Sequence, residues 1–104
     1  MSTAELAGTQ VELDAEGFMV DHERWTREIA EELAREEGIE LTPRHFEVLE
    51  FMRKDYAEKG TAPTIRRLKK LNVVPTKELY ALFPGGPAKK ASKIAGLPKP
   101  KGCV

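Results

Sequence analysis

The chain has 104 residues, 40% of them hydrophobic, and a formal net charge of zero; that length supports one domain with a modest core and argues against a deep site enclosed between two lobes. No stretch approaches the roughly 18 apolar residues of a membrane span, and the acidic start MSTAELAGTQVELDAEG has neither a basic region nor an apolar run, so a cytoplasmic protein without membrane contact is expected. The neutral total conceals a division, for Met1 to Lys59 carries 7 Lys or Arg against 16 Asp or Glu, and Gly60 to Val104 carries 10 against 1, formal charges of −9 and +9. Such blocks ordinarily form solvated faces, and a basic half also offers a surface to an anionic partner.

The first ten residues show no periodicity and are expected to fray. VELDAEGFMV then alternates about a turn signal, with Val11 and Leu13 on one arm, Phe18 and Val20 on the other and Glu16-Gly17 at the reversal, which predicts a short β-hairpin. From about Asp21 the period lengthens, since Trp25, Ile29 and Leu33 recur at intervals of four before Gly38, the pattern of an amphipathic helix. Thr42 offers an N-cap and Pro43 suits a first helical position. Phe46, Val48, Leu49, Met52 and Tyr56 then make an apolar face that runs to Gly60.

In TAPTIRRLKKL, Thr64 can cap a short helix with Ile65, Leu68 and Leu71 inward and Arg66, Arg67, Lys69 and Lys70 toward water. TKELYALF follows Pro75, with Leu79, Leu82 and Phe83 as core candidates, and FPGGP breaks it before a last helix over Ala88 to Ala95. Beyond Gly96 apolar periodicity stops, and Pro98 and Pro100 favour extended geometry, in which the last nine residues span up to ~30 Å. The reading is a mainly α fold in a single domain over residues 1–104. A small helical bundle with a short N-terminal β-hairpin occupies 11–95, and a mobile C-terminal arm occupies 96–104.

The arm carries the only cysteine, Cys103. One cysteine cannot form an internal disulfide, and in a reducing compartment it is a free thiol. Its thiolate, the nucleophilic form, is normally favoured only above pH ~8.5 unless positive charge lies nearby. Lys99 and Lys101 in the arm, with Lys89, Lys90 and Lys93 in the helix before it, supply that charge, and no acidic residue follows Glu78. A thiol on such an arm can enter another protein's active site, take up a group and carry it away; the alternative is an incidental residue in a disordered tail.

LFPGGPAKKASKIAGLPKPKGCV, with EGFMVDHERW, LTPRHFEVLEFMR and APTIRRL upstream, resembles the DsrC/TusE family of sulfur-relay proteins over nearly the whole chain after about residue 10. The resemblance implies a helical bundle preceded by a β-hairpin, with Cys103 as the cysteine that receives a persulfide sulfur and passes it on. It also implies Arg66, in the proline-x-isoleucine-arginine pattern, as a residue that meets the arm. Members that serve dissimilatory sulfite reductase carry a second cysteine where this chain has Ser92, so an intramolecular disulfide or trisulfide cycle is excluded and the match leans to the TusE-like branch. That branch implies a TusBCD-type donor complex, an MnmA-type tRNA 2-thiouridylase as acceptor, tRNA as an indirect partner, and chemistry without cofactor or metal. A single-cysteine DsrC paralogue in sulfur oxidation, sulfite metabolism or its regulation is the alternative within the family.

A reading of another class stays open. LTPRHFEVLEFMRKDYAEKGTAPTIRRLKKL also resembles the DNA-binding domain of LexA-type repressors, a helix-turn-helix regulator. Its reader would be Thr76 to Phe83, which offers few donors to base edges, although Arg66, Arg67, Lys69 and Lys70 could contact phosphates. His22 and His45 lack the partners of a zinc pattern and read as surface or capping residues, and Trp25, Phe46, Phe51 and Tyr56 read as core rather than a stacking platform.

Overall fold

The computed structural model describes residues 2–100. Strands β1 (Ser2–Leu6) and β2 (Thr9–Leu13) pair antiparallel, from Ser2 opposite Leu13 to Leu6 opposite Thr9. Ala7 and Gly8 both take positive φ, 51° and 77°, the twist that a two-residue hairpin turn requires. Alternation places Ala4, Leu6, Val11 and Leu13 on one face, with Leu6 and Val11 buried. The hairpin therefore lies one strand earlier than the sequence reading put it, and the residues expected to fray are its first strand.

The reversal expected at Glu16-Gly17 is present as a tight turn. Asp14 accepts the amides of Glu16 and Phe18 on one carboxylate oxygen, at 2.9 and 3.0 Å, and Gly17 has φ of +90°. It leads to a single bridge between Leu13 and Met19 rather than to a second arm, because Phe18 and Met19 both enter the interior and Val20, expected inside, is 40% exposed.

A 3-10 turn at His22–Arg24 precedes helix α1 (Arg27–Glu36), which starts later than its periodicity indicated because the Thr26 side chain caps it, accepting from the Ile29 amide. Ile29, Ala30, Leu33 and Ala34 form its buried face. Helix α2 (Pro43–Lys59) follows the predicted bounds. Thr42 and His45 make a reciprocal capping box, Pro43 occupies the first turn, and Gly60 ends the helix at φ of +77°.

Thr64 caps α3 (Ile65–Lys70), whose Leu68 is buried while Leu71, expected inside, is 42% exposed. In α4 (Thr76–Leu82), Leu79 is buried and Phe83 beyond its end is fully so, with Leu82 half-buried beside them. Helix α5 (Pro87–Ile94) packs against α1, α2 and α4, and Ala91, Ile94, Ala95 and Leu97 join the common core.

The two charge blocks are stitched together. Asp55, 6% exposed, receives both ends of the Arg67 guanidinium at 2.7 and 2.8 Å, so Arg67 does not simply face water as expected. Glu37 pairs with Lys93 at 3.2 Å and Glu16 with Lys99 at 3.1 Å, each joining the acidic half to the basic half. The double hydrogen bond from Arg67 holds the Asp55 carboxyl below its ordinary range.

Candidate functional site

Cys103 and Lys101 lie outside the described residues, so the site is built from the segment that leads to them. That segment leaves α5 by a reversal of the chain. Gly96 has φ of +72°, its amide bonds to the Lys93 carbonyl at 3.2 Å, and the Leu97 amide reaches back to the Ser92 carbonyl at 2.9 Å. This is a Schellman termination, which favours a residue without a Cβ at the left-handed position. Leu97, the next residue, is 1% exposed.

Three carbonyls at this end of α5 point away from the helix and need donors from elsewhere. Each has one. The Trp25 indole Nε1 donates to Ile94 at 2.8 Å, Arg53 donates to Ala95 at 2.9 Å, and His22 Nδ1 donates to Gly96 at 2.8 Å. The donors are themselves tied together: Arg53 also donates to the His22 carbonyl at 3.0 Å, its guanidinium lies 4.5 Å from the Trp25 ring centroid, and the His22 ring meets Tyr56 edge-on at 5.3 Å.

Arg53 has no carboxylate partner among the described residues. Burial lowers its pKa from the ordinary value, and its charge is offset by the carbonyl end of the helix dipole and the indole face. Gly96 sits against Trp25 so closely that a Cβ there would fall 2.5 Å from the indole Cδ1.

Gly96 to Pro100, read from sequence as the first half of a mobile arm, is packed on the body, with Gly96, Leu97 and Pro100 buried and Lys99 paired to Glu16. Lys93 likewise faces Glu37, so two of the five lysines expected to assist a thiolate share their charge with a carboxylate. Beside them is a cleft of about 250 Å³ lined by Glu16, Phe18, Glu37, Gly85, Lys89, Lys90 and Lys93. A larger open cleft, about 430 Å³ between Glu31 and Leu41, contains none of the candidate residues. Arg66 is exposed, with no hydrogen bond or ion pair among the described residues.

Ser92 is fully buried, and its hydroxyl has no hydrogen-bond partner among the described residues. The helix gives this position an apolar setting, suited to an alkyl group or a thiol and unfavourable for a hydroxyl.

His45 is buried, accepts from the Thr42 amide on Nδ1 at 3.0 Å and donates from Nε2 to the Leu82 carbonyl at 2.9 Å. Among the described residues no three His, Asp or Glu side chains are grouped to hold a metal ion, and no helix is long and apolar enough to cross a membrane. Sequence reasoning missed the roles of Trp25, Arg53 and His22 at the root of the arm. Their partners are backbone carbonyls 42 to 74 positions away, which leave no pattern in the sequence.

A family model described as DsrC like protein matches residues 5–104. A sulfurtransferase TusE from Escherichia coli strain K12 is 44% identical, the match covering 93% of this chain and 95% of the relative. The TusE of Pectobacterium atrosepticum is 45% identical over 96% and 98%. Among solved structures, DsrC of Allochromatium vinosum superposes with a TM-score of 0.87 at 39% identity, covering 99% of this chain and 98% of that one. The oxidized gamma-subunit of the dissimilatory sulfite reductase (DsrC) from Archaeoglobus fulgidus gives 0.83 at 40%, covering 99% and 100%. The chain belongs to the DsrC-like family.

Proposed function

We propose that this DsrC-family chain is a sulfur-relay protein that carries sulfane sulfur as a persulfide on Cys103 and delivers it to an acceptor protein in tRNA wobble-uridine 2-thiolation. The observation that carries the reading is the position in the sequence of the sole thiol, seven residues beyond a segment that the body holds by its backbone, together with relatives named sulfurtransferase over most of their length.

In the first step the Cys103 thiolate attacks the outer sulfur of a donor persulfide; a new S–S bond forms to Cys103, and the donor cysteine leaves as its thiolate. In the second, an acceptor thiolate attacks the outer sulfur of Cys103 persulfide, and the Cys103 thiolate leaves. Neither step changes the net oxidation level, so no external oxidant or reductant enters. With one cysteine in the chain, transfer is necessarily between molecules.

Lys89, Lys90 and Lys93 beside the cleft, with Lys99 and Lys101, lower the cost of the anion at each stage. Lys93 and Lys99 do so less than bare charges would, because Glu37 and Glu16 face them. Arg66, exposed on α3, is assigned to contact with the arm or a partner. The donor assigned is a TusBCD-type complex and the acceptor an MnmA-type 2-thiouridylase, as the resemblance to the TusE-like branch implies; the relatives named sulfurtransferase support a relay of this kind.

Incubation with a cysteine desulfurase, cysteine and the donor complex, followed by peptide mass spectrometry, tests the carrier step. One added sulfur atom is expected on the Cys103 peptide, lost in Cys103→Ala. Wild-type protein that stays unloaded with every donor would remove the mechanism, and salt-sensitive duplex binding retained by Cys103→Ser would then favour a DNA-binding role.

A further inference from the structure

Helix α3 carries more positive charge than its own stability explains. Arg66, Lys69 and Lys70 are all exposed, and their spacing of three and four puts them on one face of a helix of 6 residues. Like charges four apart oppose helix formation. The carbonyl end of the helix dipole accommodates Lys69 and Lys70 in the last turn, but Arg66 stands in the first turn, where the dipole repels a cation and no acidic residue offsets it. Arg67 shows what the body does neutralise, since it turns to Asp55 and also feels Glu58. Among the described residues no carboxylate pairs with Arg66, Lys69 or Lys70. The only acidic residue after Gly60, Glu78, is held by Arg44 through both oxygens at 3.0 Å.

The same stretch holds a second anomaly. Of the three large hydrophobic side chains exposed among the described residues, two, Leu71 at 42% and Tyr80 at 50%, lie at the end of α3 and on α4. The connection from Leu71 to Pro75 keeps the two helices within about 20 Å of one another, a distance that a few unpaired nucleotides cover.

We propose that α3 and α4 form a binding site for an unpaired loop of tRNA, with Arg66, Lys69 and Lys70 on phosphates and Tyr80 stacked on a base. The choice of tRNA rests on the relay reading above; the contact rests on charge complementarity and the exposed ring. Arg66 can take a phosphate through two parallel hydrogen bonds, and the two lysines act as point charges. A duplex fits the surface less well. In a helix-turn-helix α4 would read base edges, yet its exposed residues are Lys77, Tyr80 and Ala81, too few donors to specify a sequence, and a paired base offers Tyr80 no free face. Phosphate attraction and stacking together bind a loop without reading its sequence, which suffices where the acceptor enzyme selects the nucleoside.

The test measures binding of the full-length protein to an unmodified tRNA transcript with a wobble uridine, and to a DNA duplex, by fluorescence anisotropy between about 50 and about 200 mM salt. The variants are Lys69→Gln with Lys70→Gln as a pair, Arg66→Gln, Tyr80→Leu and, as the control for lost charge, Arg35→Gln on an exposed position of α1. All replace exposed side chains with good helix formers, so thermal melting is expected to match wild type.

The Kd for tRNA is expected to rise about tenfold in the lysine pair and about fivefold in Arg66→Gln and in Tyr80→Leu, and to stay within twofold in Arg35→Gln. The dependence of log K on log salt becomes shallower by about 1.5 in the lysine pair and keeps its slope in Tyr80→Leu, because stacking releases no counterions. The duplex is expected to bind more weakly than tRNA and to ignore Tyr80→Leu. Unchanged tRNA affinity in the lysine pair would overturn the proposal, as would an equal loss in Arg35→Gln, which would reduce the effect to net charge. Duplex bound as tightly as tRNA, with the same losses, would assign the face to DNA instead. Sulfur loading of the same samples, read by mass spectrometry, keeps the two readings apart: protein that loads but binds no tRNA loses this site alone, and protein that never loads loses the carrier reading.

Discussion

The start of α2 and the end of α5 face the same problem, backbone groups left without helical partners, and meet it with different parts of the chain. At α2 the donors and acceptors come from Thr42 and His45, three residues apart. At α5 they come from Trp25, Arg53 and His22, at separations of 69, 42 and 74. A cap built from neighbours stabilises one helix. A cap built from two other segments holds that helix end to the turn at His22 to Trp25 and to α2.

The strongest way to break this contrast is at the two C-terminal glycines. Gly60 and Gly96 have similar φ, +77° and +72°, but a Cβ at Gly60 meets nothing among the described residues within 4 Å, whereas at Gly96 it strikes Trp25. Gly96→Ala is expected to cost about 2–5 kcal/mol in denaturant unfolding, from left-handed strain plus displacement of the indole, and Gly60→Ala about 1 kcal/mol. Equal costs would show that Trp25 yields freely and that the root is loosely held.

Next in size is Leu97→Ala, at about 2–4 kcal/mol, because the side chain is fully buried in the common core. A cost near zero would place the boundary of the packed body before Leu97. Thr42→Ala, the local counterpart, is expected to cost about 1 kcal/mol and to leave sulfur loading and transfer unchanged.

The ion pair between Asp55 and Arg67 sharpens the comparison through pH. The folded Asp55 carboxyl titrates below its unfolded value, so its contribution is complete above the unfolded pKa near 4 and disappears as pH falls through the folded pKa. Asp55→Asn is therefore expected to melt several degrees below wild type at pH 7 and to converge with it as pH falls through the folded pKa. A constant gap across that range would assign the loss to packing.

The smallest effect is that of Ser92→Ala. Removing an orphaned buried hydroxyl is expected to raise stability by up to about 1 kcal/mol and to leave loading at Cys103 intact.

The same local and remote division decides what the sequence discloses. Helix α2 was legible at both ends because Thr42, Pro43 and Gly60 act on their own neighbours, and the apolar spacing of Val48, Leu49 and Met52 marks its inner face. The first strand was not, since Ala4 and Leu6 are too few to show alternation and Ala7-Gly8 is an uncommon pair for a turn with two positive φ values. Leu71 was read inward because it completes a helical stripe, but α3 ends at Lys70 and the stripe ends with it. Among the candidate residues, the lysines were visible as a run of charge, while the glutamates that face Lys93 and Lys99 stand 56 and 83 positions away.

Those long separations also bear on how each molecule is made. Synthesis proceeds from the amino end, so α1 and α2 leave the ribosome with Trp25, Arg53 and His22 unmatched, and the interior stays open until Ile94 to Leu97 arrive. A polypeptide abandoned after Lys93 has no means of sealing itself and is expected to be cleared by proteases, which pulse-chase of such a truncation would measure. Survival is thereby tied to translation almost as far as the cysteine, and damaged messages yield few persistent decoys able to occupy a partner without carrying sulfur.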